Sequence, residues 1–137
     1  MSDCLFCKIA NGEFDSFTVY EDNDFRAIMD IAPASRGHII ILPKTHATDI
    51  FDLDEVIASK IYVVAKKLAK AVKEVTGCDG VNVLQNNGEA AGQTVFHLHM
   101  HVIPRWNDDN IKILWEQTEV EKDVLKELAE DIKGIVK

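Results

Sequence analysis

The run Phe96-His97-Leu98-His99-Met100-His101-Val102-Ile103 sets histidine at three alternate positions among large apolar residues. Side chains on a strand alternate between faces, so the run predicts a strand with His97, His99 and His101 on one side. Phe96, Leu98, Met100 and Val102 then point to the other side and require a core. The chain is thereby held to a sheet with one packed face and one face carrying imidazoles. A single strand histidine is most often a hydrogen-bonded interior residue. Three in register differ, because packing alone would leave several ring nitrogens needing partners, at about 1–3 kcal/mol each. Near neutral pH imidazole can be base, nucleophile or metal ligand, and the row reads as a chemical site.

Upstream, Thr18 to Tyr20 and Phe25 to Asp30 read as short strands about the turn Glu21-Asp22-Asn23-Asp24. His38 to Pro43 is a β-branched strand entered from Gly37, with His38, Ile40 and Leu42 on one face. A helix is predicted from about Leu53 to Thr76, where Ile57, Ile61, Val64, Ala65, Leu68, Val72 and Val75 make one apolar stripe. Asp52 with Glu55 suits its start, and Gly77 its end. Gly80 to Gln85 is a further strand, joined to the histidine strand through the glycine-bearing turn Asn86 to Gly92. Val124, Leu125, Leu128, Ile132 and Ile135 mark a final amphipathic helix. The fold class expected is α+β: an antiparallel sheet of about five strands with one long helix and a C-terminal helix.

At 137 residues the chain is most simply one domain. Its net charge of −8 argues against a general nucleic-acid binder, which needs a basic face. A mononucleotide remains open, since one or two phosphates need only a local cluster of donors. No apolar stretch approaches a membrane span and the N-terminus lacks a signal-type run, so a cytoplasmic protein is expected. Three cysteines fit reduced thiols or thiolate ligands better than a disulfide framework. Cys4-Leu5-Phe6-Cys7 has the spacing of a zinc knuckle but supplies half a site, and a pair of reduced thiols is the other reading.

His-Leu-His-Met-His-Val-Ile resembles the alternating signature of the histidine triad (HIT) proteins, and the resemblance extends through Asn86, Gly88, Gly92-Gln93-Thr94-Val95 and the segment Asp30 to Pro43. Residues 4–106 look like one HIT domain of the Hint type. Residues 107–137 are then a C-terminal extension with an amphipathic helix, packed on the same domain or on a dimer. The resemblance implies hydrolysis at the α-phosphate of nucleoside 5′-phosphoramidates or related adenylyl compounds, through a covalent nucleotidyl-histidine. His99 would be the nucleophile, and His101 and His38 would donate to phosphate oxygens. Gln93 and Thr94 would stand near the leaving group, Asn86 would bind phosphate or the leaving-group side, and the backbone of Gly92, Thr94 and Val95 would approach the phosphate.

Asp30 would hold ribose hydroxyls, while Ile28, Ile31 and Ile40 would flank the base. The resemblance also implies one structural zinc on Cys4, Cys7, His46 and His97, a closed set that leaves no open position. No catalytic metal is expected, because alternate strand positions lie about 6.5–7 Å apart and suit a phosphate cradle better than one ion. The partners expected are a purine nucleotide and a second copy in a homodimer, with neither nucleic acid nor membrane. Dinucleoside polyphosphates, met by Arg105, and a binding or scaffold role are the rival functions.

Overall fold

The computed structural model describes residues 3–136. In chain order the elements are α1 (Leu5–Ala10), β1 (Thr18–Glu21), β2 (Phe25–Met29), β3 (Ile39–Pro43), α2 (Glu55–Thr76), β4 (Gly80–Gln85), a short 3-10 turn (Glu89–Ala91), β5 (Met100–Arg105) and α3 (Lys122–Ile135). The strands form one five-stranded antiparallel sheet in the order β1-β2-β3-β5-β4. This is the expected α+β architecture.

Alternation divides the sheet into two chemically different faces. Phe25, Ala27, Ile39, Ile41, Met100 and Val102 point to one side, where Ile61, Val64, Ala65, Leu68 and Val72 of α2 cover them. Ile28, Ile40 and Leu42 point to the other, where Ala10, Phe6 and Ile9 of α1 pack. The long helix thus supplies the main core, and the short one backs the face that bears the histidines. Truncating Leu68 to alanine would cost about 2–5 kcal/mol, as for other buried leucines.

Four local expectations need correction. The ladder of β5 begins only at Met100, so His97 and His99 precede it. There the Leu98 N–H donates to the Ala47 carbonyl at 2.7 Å, and the His97 carbonyl accepts from its neighbour's ring, so the segment crosses the Ala47 loop instead of pairing. Phe96 is half exposed for the same reason, while Leu98 reaches the core. The helix cap is Asp54, whose carboxylate accepts from Val56 and Ile57, and Asp52 accepts from Thr48 and Asp49 in the loop before it. Val75 is exposed; Thr76 closes the stripe instead, its methyl lying over Gly37. Gly77 has φ +69°, the left-handed stop the sequence predicts.

The C-terminal helix stands apart. After residues 109–121, which form no regular element, α3 buries none of its residues, and Val124, Leu125, Leu128, Ile132 and Ile135 are all exposed. Its apolar stripe has no cover among the described residues. No helix among the described residues is long and apolar enough to cross a membrane.

Candidate active site and metal centre

Antiparallel register brings the distant histidine to the row. Ile40 lies directly opposite His101, which makes His38 the diagonal neighbour on the same face. His38 Nε2 is 2.9 Å from His101 Nδ1. The direction of the proton follows from the backbone. The Ala34 N–H donates to His38 Nδ1 at 3.0 Å, so the neutral His38 ring carries its proton on Nε2. His38 therefore donates to His101 Nδ1, and His101 must carry its own proton on Nε2. The result is a directed chain of neutral rings ending in an N–H donor. Burial pushes both rings below the ordinary imidazole range, His101 to about 4, despite the opposing charge of Asp30.

His99 is fixed in the opposite sense. Its Nδ1 lies 2.7 Å from the His97 carbonyl, which can only accept, so Nδ1 carries the proton and Nε2 keeps a bare lone pair. Burial lowers its pKa against this hydrogen bond, which favours the neutral ring a nucleophile requires. The Phe6 ring meets it edge-on, with centroids 5.0 Å apart. The ring of His101 stands 4.9 Å on the other side. Two neutral imidazoles side by side thus differ by one proton position, one being a nucleophile and the other a donor.

These rings open onto a cavity of about 630 Å³. Its wall brings together His99, His101, Asp30, Ile31, Thr94 and Val95, as well as Ile28 and Ile40. Asp30 accepts from the Ala32 N–H at 2.9 Å, and its other oxygen is 3.6 Å from His38 Nε2. His38 stands behind His101 and is not part of the wall. Asn86, Gly92 and Gln93, expected at the substrate, are also outside the lining. Gln93 is buried, donating to the Thr48 and Val95 carbonyls and accepting from the Gly88 N–H, so its amide shapes the loop instead of reaching the leaving group. Gly92 has φ +96° and closes the 3-10 turn through its N–H to Glu89, with Asn86 packed against it. Arg105 is clasped by both oxygens of Asp109 and by Asn82 and the Ile111 carbonyl, which takes four of its five N–H groups and turns the guanidinium toward the Asp109 loop.

Sequence reasoning missed the cavity's second wall. Leu5, Phe6 and Ile9 of α1 and Phe17 line it, and the helical spacing of Leu5, Phe6 and Ile9 beside the cysteine pair was the available signal.

At the other end of the histidine segment, Cys4, Cys7, His46 and His97 form one cluster, with all four ligand atoms within 4.8 Å of one another. Cys4 Sγ and Cys7 Sγ are each 3.4 Å from His97 Nδ1, Cys7 Sγ is 3.3 Å from His46 Nδ1, and the two Nδ1 atoms are 3.2 Å apart. His97 Nε2 donates to the Pro43 carbonyl at 2.9 Å, so its Nδ1 lone pair is bare and points at the sulfurs. Burial pushes His97 down to about 4 and raises the Cys7 thiol, the latter helped by Cys4. Two thiols and two imidazole nitrogens converging at these separations match the edges of a tetrahedron around one small ion, with bonds of about 2.0–2.3 Å. The hydrogen bond to Pro43 is the outer support that such a ligand usually has.

Asp30, His38 and His101 also converge, but their protons point the wrong way. His38 already accepts at Nδ1, so a neutral ring cannot offer Nε2 to a metal while that bond stands. The hydrogen-bonded relay runs from the Ala34 N–H side through His38 to His101, with the Asp30 carboxylate beside it at 3.6 Å.

The HIT domain family model matches residues 11–108. The chain belongs to the HIT family. It is 36% identical over 135 residues to an adenosine 5′-monophosphoramidase of Schizosaccharomyces pombe, covering 98% of each chain. A crystal structure from Streptococcus mutans superposes with a TM-score of 0.95 at 41% identity, covering 100% of this chain and 87% of that one. A zinc-bound histidine triad protein of Mycobacterium smegmatis has a TM-score of 0.77 at 35% identity, covering 95% of this chain and 98% of its own.

Proposed function

We propose that this protein hydrolyses purine nucleoside 5′-phosphoramidates or related adenylyl compounds at the α-phosphate, through a nucleotidyl intermediate on His99. The observation that carries the reading is the 2.7 Å contact from His99 Nδ1 to the His97 carbonyl, which leaves Nε2 unprotonated on the cavity wall. Its lone pair attacks phosphorus, the bond to the leaving amine breaks, and the amine departs with a proton drawn from water in the cavity. Water then attacks phosphorus, the bond to His99 Nε2 breaks and returns a neutral ring, and the proton shed by that water replaces the one the amine carried off. The Nε2–H of His101 donates to a phosphate oxygen whose charge grows as phosphorus becomes five-coordinate. His38 and Ala34 hold that donor in place at no cost in reorganisation.

Thr94 offers a hydroxyl on the cavity wall, suited to the leaving-group side, and Asp30 offers an acceptor to ribose hydroxyls. Ile28, Ile31 and Ile40 give the base an apolar bed. The activity of the S. pombe relative supports the phosphoramidate reading, and the commitment of Arg105 to Asp109 weighs against its meeting a longer phosphate chain. Turnover of adenosine 5′-phosphoramidate is expected to exceed that of diadenosine polyphosphates by at least about tenfold in kcat/KM; the reverse order would overturn the substrate assignment.

Cys4, Cys7, His46 and His97 would hold one structural zinc per chain. A zinc there would supply cross-linking: it would tie the start of α1 to the Ala47 loop and to the segment bearing His99. Free Cys4, Cys7 and Cys78 suit a reducing, cytoplasmic setting. A homodimer would cover the bare stripe of α3 and the open edge of β4, and light scattering at about twice the chain mass is expected.

A further inference from the structure

Helix α1 belongs to both clusters at once. Cys4 caps it and Cys7 lies in its first turn, with both sulfurs facing His97. Between them Leu5 and Phe6, followed by Ile9, form one wall of the nucleotide cavity. The Phe6 ring lies edge-on to His97 with centroids 6.2 Å apart, and edge-on to His99 at 5.0 Å. One aromatic ring therefore touches a cluster ligand, the reacting imidazole and the space where substrate sits. A six-residue helix has no stability of its own in water, so tertiary anchors decide where it lies. Those anchors are the thiol–imidazole cluster at its start and the packing of Ala10 and Ile9 on Ile28, Ile40 and Leu42 at its end.

We propose that Phe6 is a positioning residue through which metal occupancy of the Cys4–Cys7–His46–His97 cluster sets nucleotide affinity. Filling the cluster fixes α1, which fixes Phe6 against both His99 and the nucleotide. Emptying it frees the start of α1, and the wall of the cavity loses its place. Linkage makes the effect reciprocal: bound nucleotide tightens the cluster's hold on its metal by the same factor. This rests on the zinc and nucleotide readings above and adds the coupling between them.

The test uses the full chain, wild type and Phe6→Leu, each zinc-loaded and chelated. The dissociation constant for AMP is measured by calorimetry, and zinc affinity by competition with a chromophoric chelator, with and without saturating AMP. In the wild type, chelation is expected to weaken AMP binding at least about fivefold, the lower end of typical coupling between sites. AMP should raise zinc affinity by the same factor. Phe6→Leu should keep zinc affinity within about twofold in the absence of AMP, bind AMP more weakly, and show a zinc-dependent ratio near one.

An AMP affinity indifferent to zinc in the wild type overturns the proposal, as does full coupling in Phe6→Leu. Loss of helical far-UV circular dichroism on chelation also overturns it, because the metal would then hold the whole domain and not one wall. Failure of the underlying readings is separately visible, as a chain that takes up no zinc or that binds no AMP in any state.

Discussion

His97 and His99 sit two residues apart on one segment, and their environments make opposite use of the same ring. At His97 the Pro43 carbonyl takes the Nε2 proton, and the bare Nδ1 faces two sulfurs and another imidazole. At His99 the His97 carbonyl takes the Nδ1 proton, and the bare Nε2 belongs to the cavity wall. A carbonyl, which can only accept, decides both cases. The residue type does not assign the role; which nitrogen the backbone claims does so. His101 completes the contrast, since the ring of His38 takes its acceptor nitrogen and leaves it a donor.

The largest effect that sharpens this contrast is expected at His99. Replacing it by alanine should lower turnover by about 10⁴-fold or more, as removal of a nucleophile does, while zinc content stays at one per chain. At His97 the pattern should invert: His97→Ala should lose the zinc and lower the melting temperature by about 10 °C or more, with turnover falling as a consequence. Metal analysis paired with thermal melts checks both. If each variant lost metal and activity equally, the two rings would not have separate tasks.

The relay behind His101 ranks next. His38→Ala removes its acceptor contact to Ala34 and frees His101, and should cut kcat by about 10–100-fold with little change in KM. Steady-state kinetics would contradict the relay if only KM moved. A smaller effect concerns pH. His101 is held at about 4, against about 6.5 for an exposed imidazole. Because the folded value is depressed, the stabilisation is complete above about pH 6.5 and is lost as pH falls toward 4. His101→Gln should therefore lose about 1–2 kcal/mol less than the wild type between pH 7 and pH 5, measured by urea unfolding of zinc-loaded protein. The smallest change is expected at Arg105, already committed to Asp109. Arg105→Lys should leave the phosphoramidate-to-polyphosphate preference unchanged, while losing the two-point grip on Asp109.

The same contrast shows what was legible in the sequence. The body of α2 follows from helical period, because burial on one face leaves a periodic trace. The histidine row was legible as chemistry for the same reason. Its division into unequal roles was implied only by the family resemblance and not by the residue pattern, because it depends on carbonyls and on an Ala47 loop far away in sequence. Gln93 shows the limit in another way: a polar residue next to a site looks like a ligand until its amide is found bonded to Thr48, Gly88 and Val95. The two long amphipathic patterns make a further lesson, since α2 buries its stripe and α3 leaves its own exposed. Periodicity reports that a face wants a partner, and it is silent on which chain supplies it.

The central claim is that His99 Nε2 attacks phosphorus. Mixing zinc-loaded protein with adenosine 5′-phosphoramidate, quenching within the first turnover and mapping the adduct by mass spectrometry tests it directly. The account predicts an adenylyl group on the peptide containing His99, on that ring, and absent from His99→Ala. An adduct on His97 or His101, or persistent turnover in His99→Ala, would contradict it.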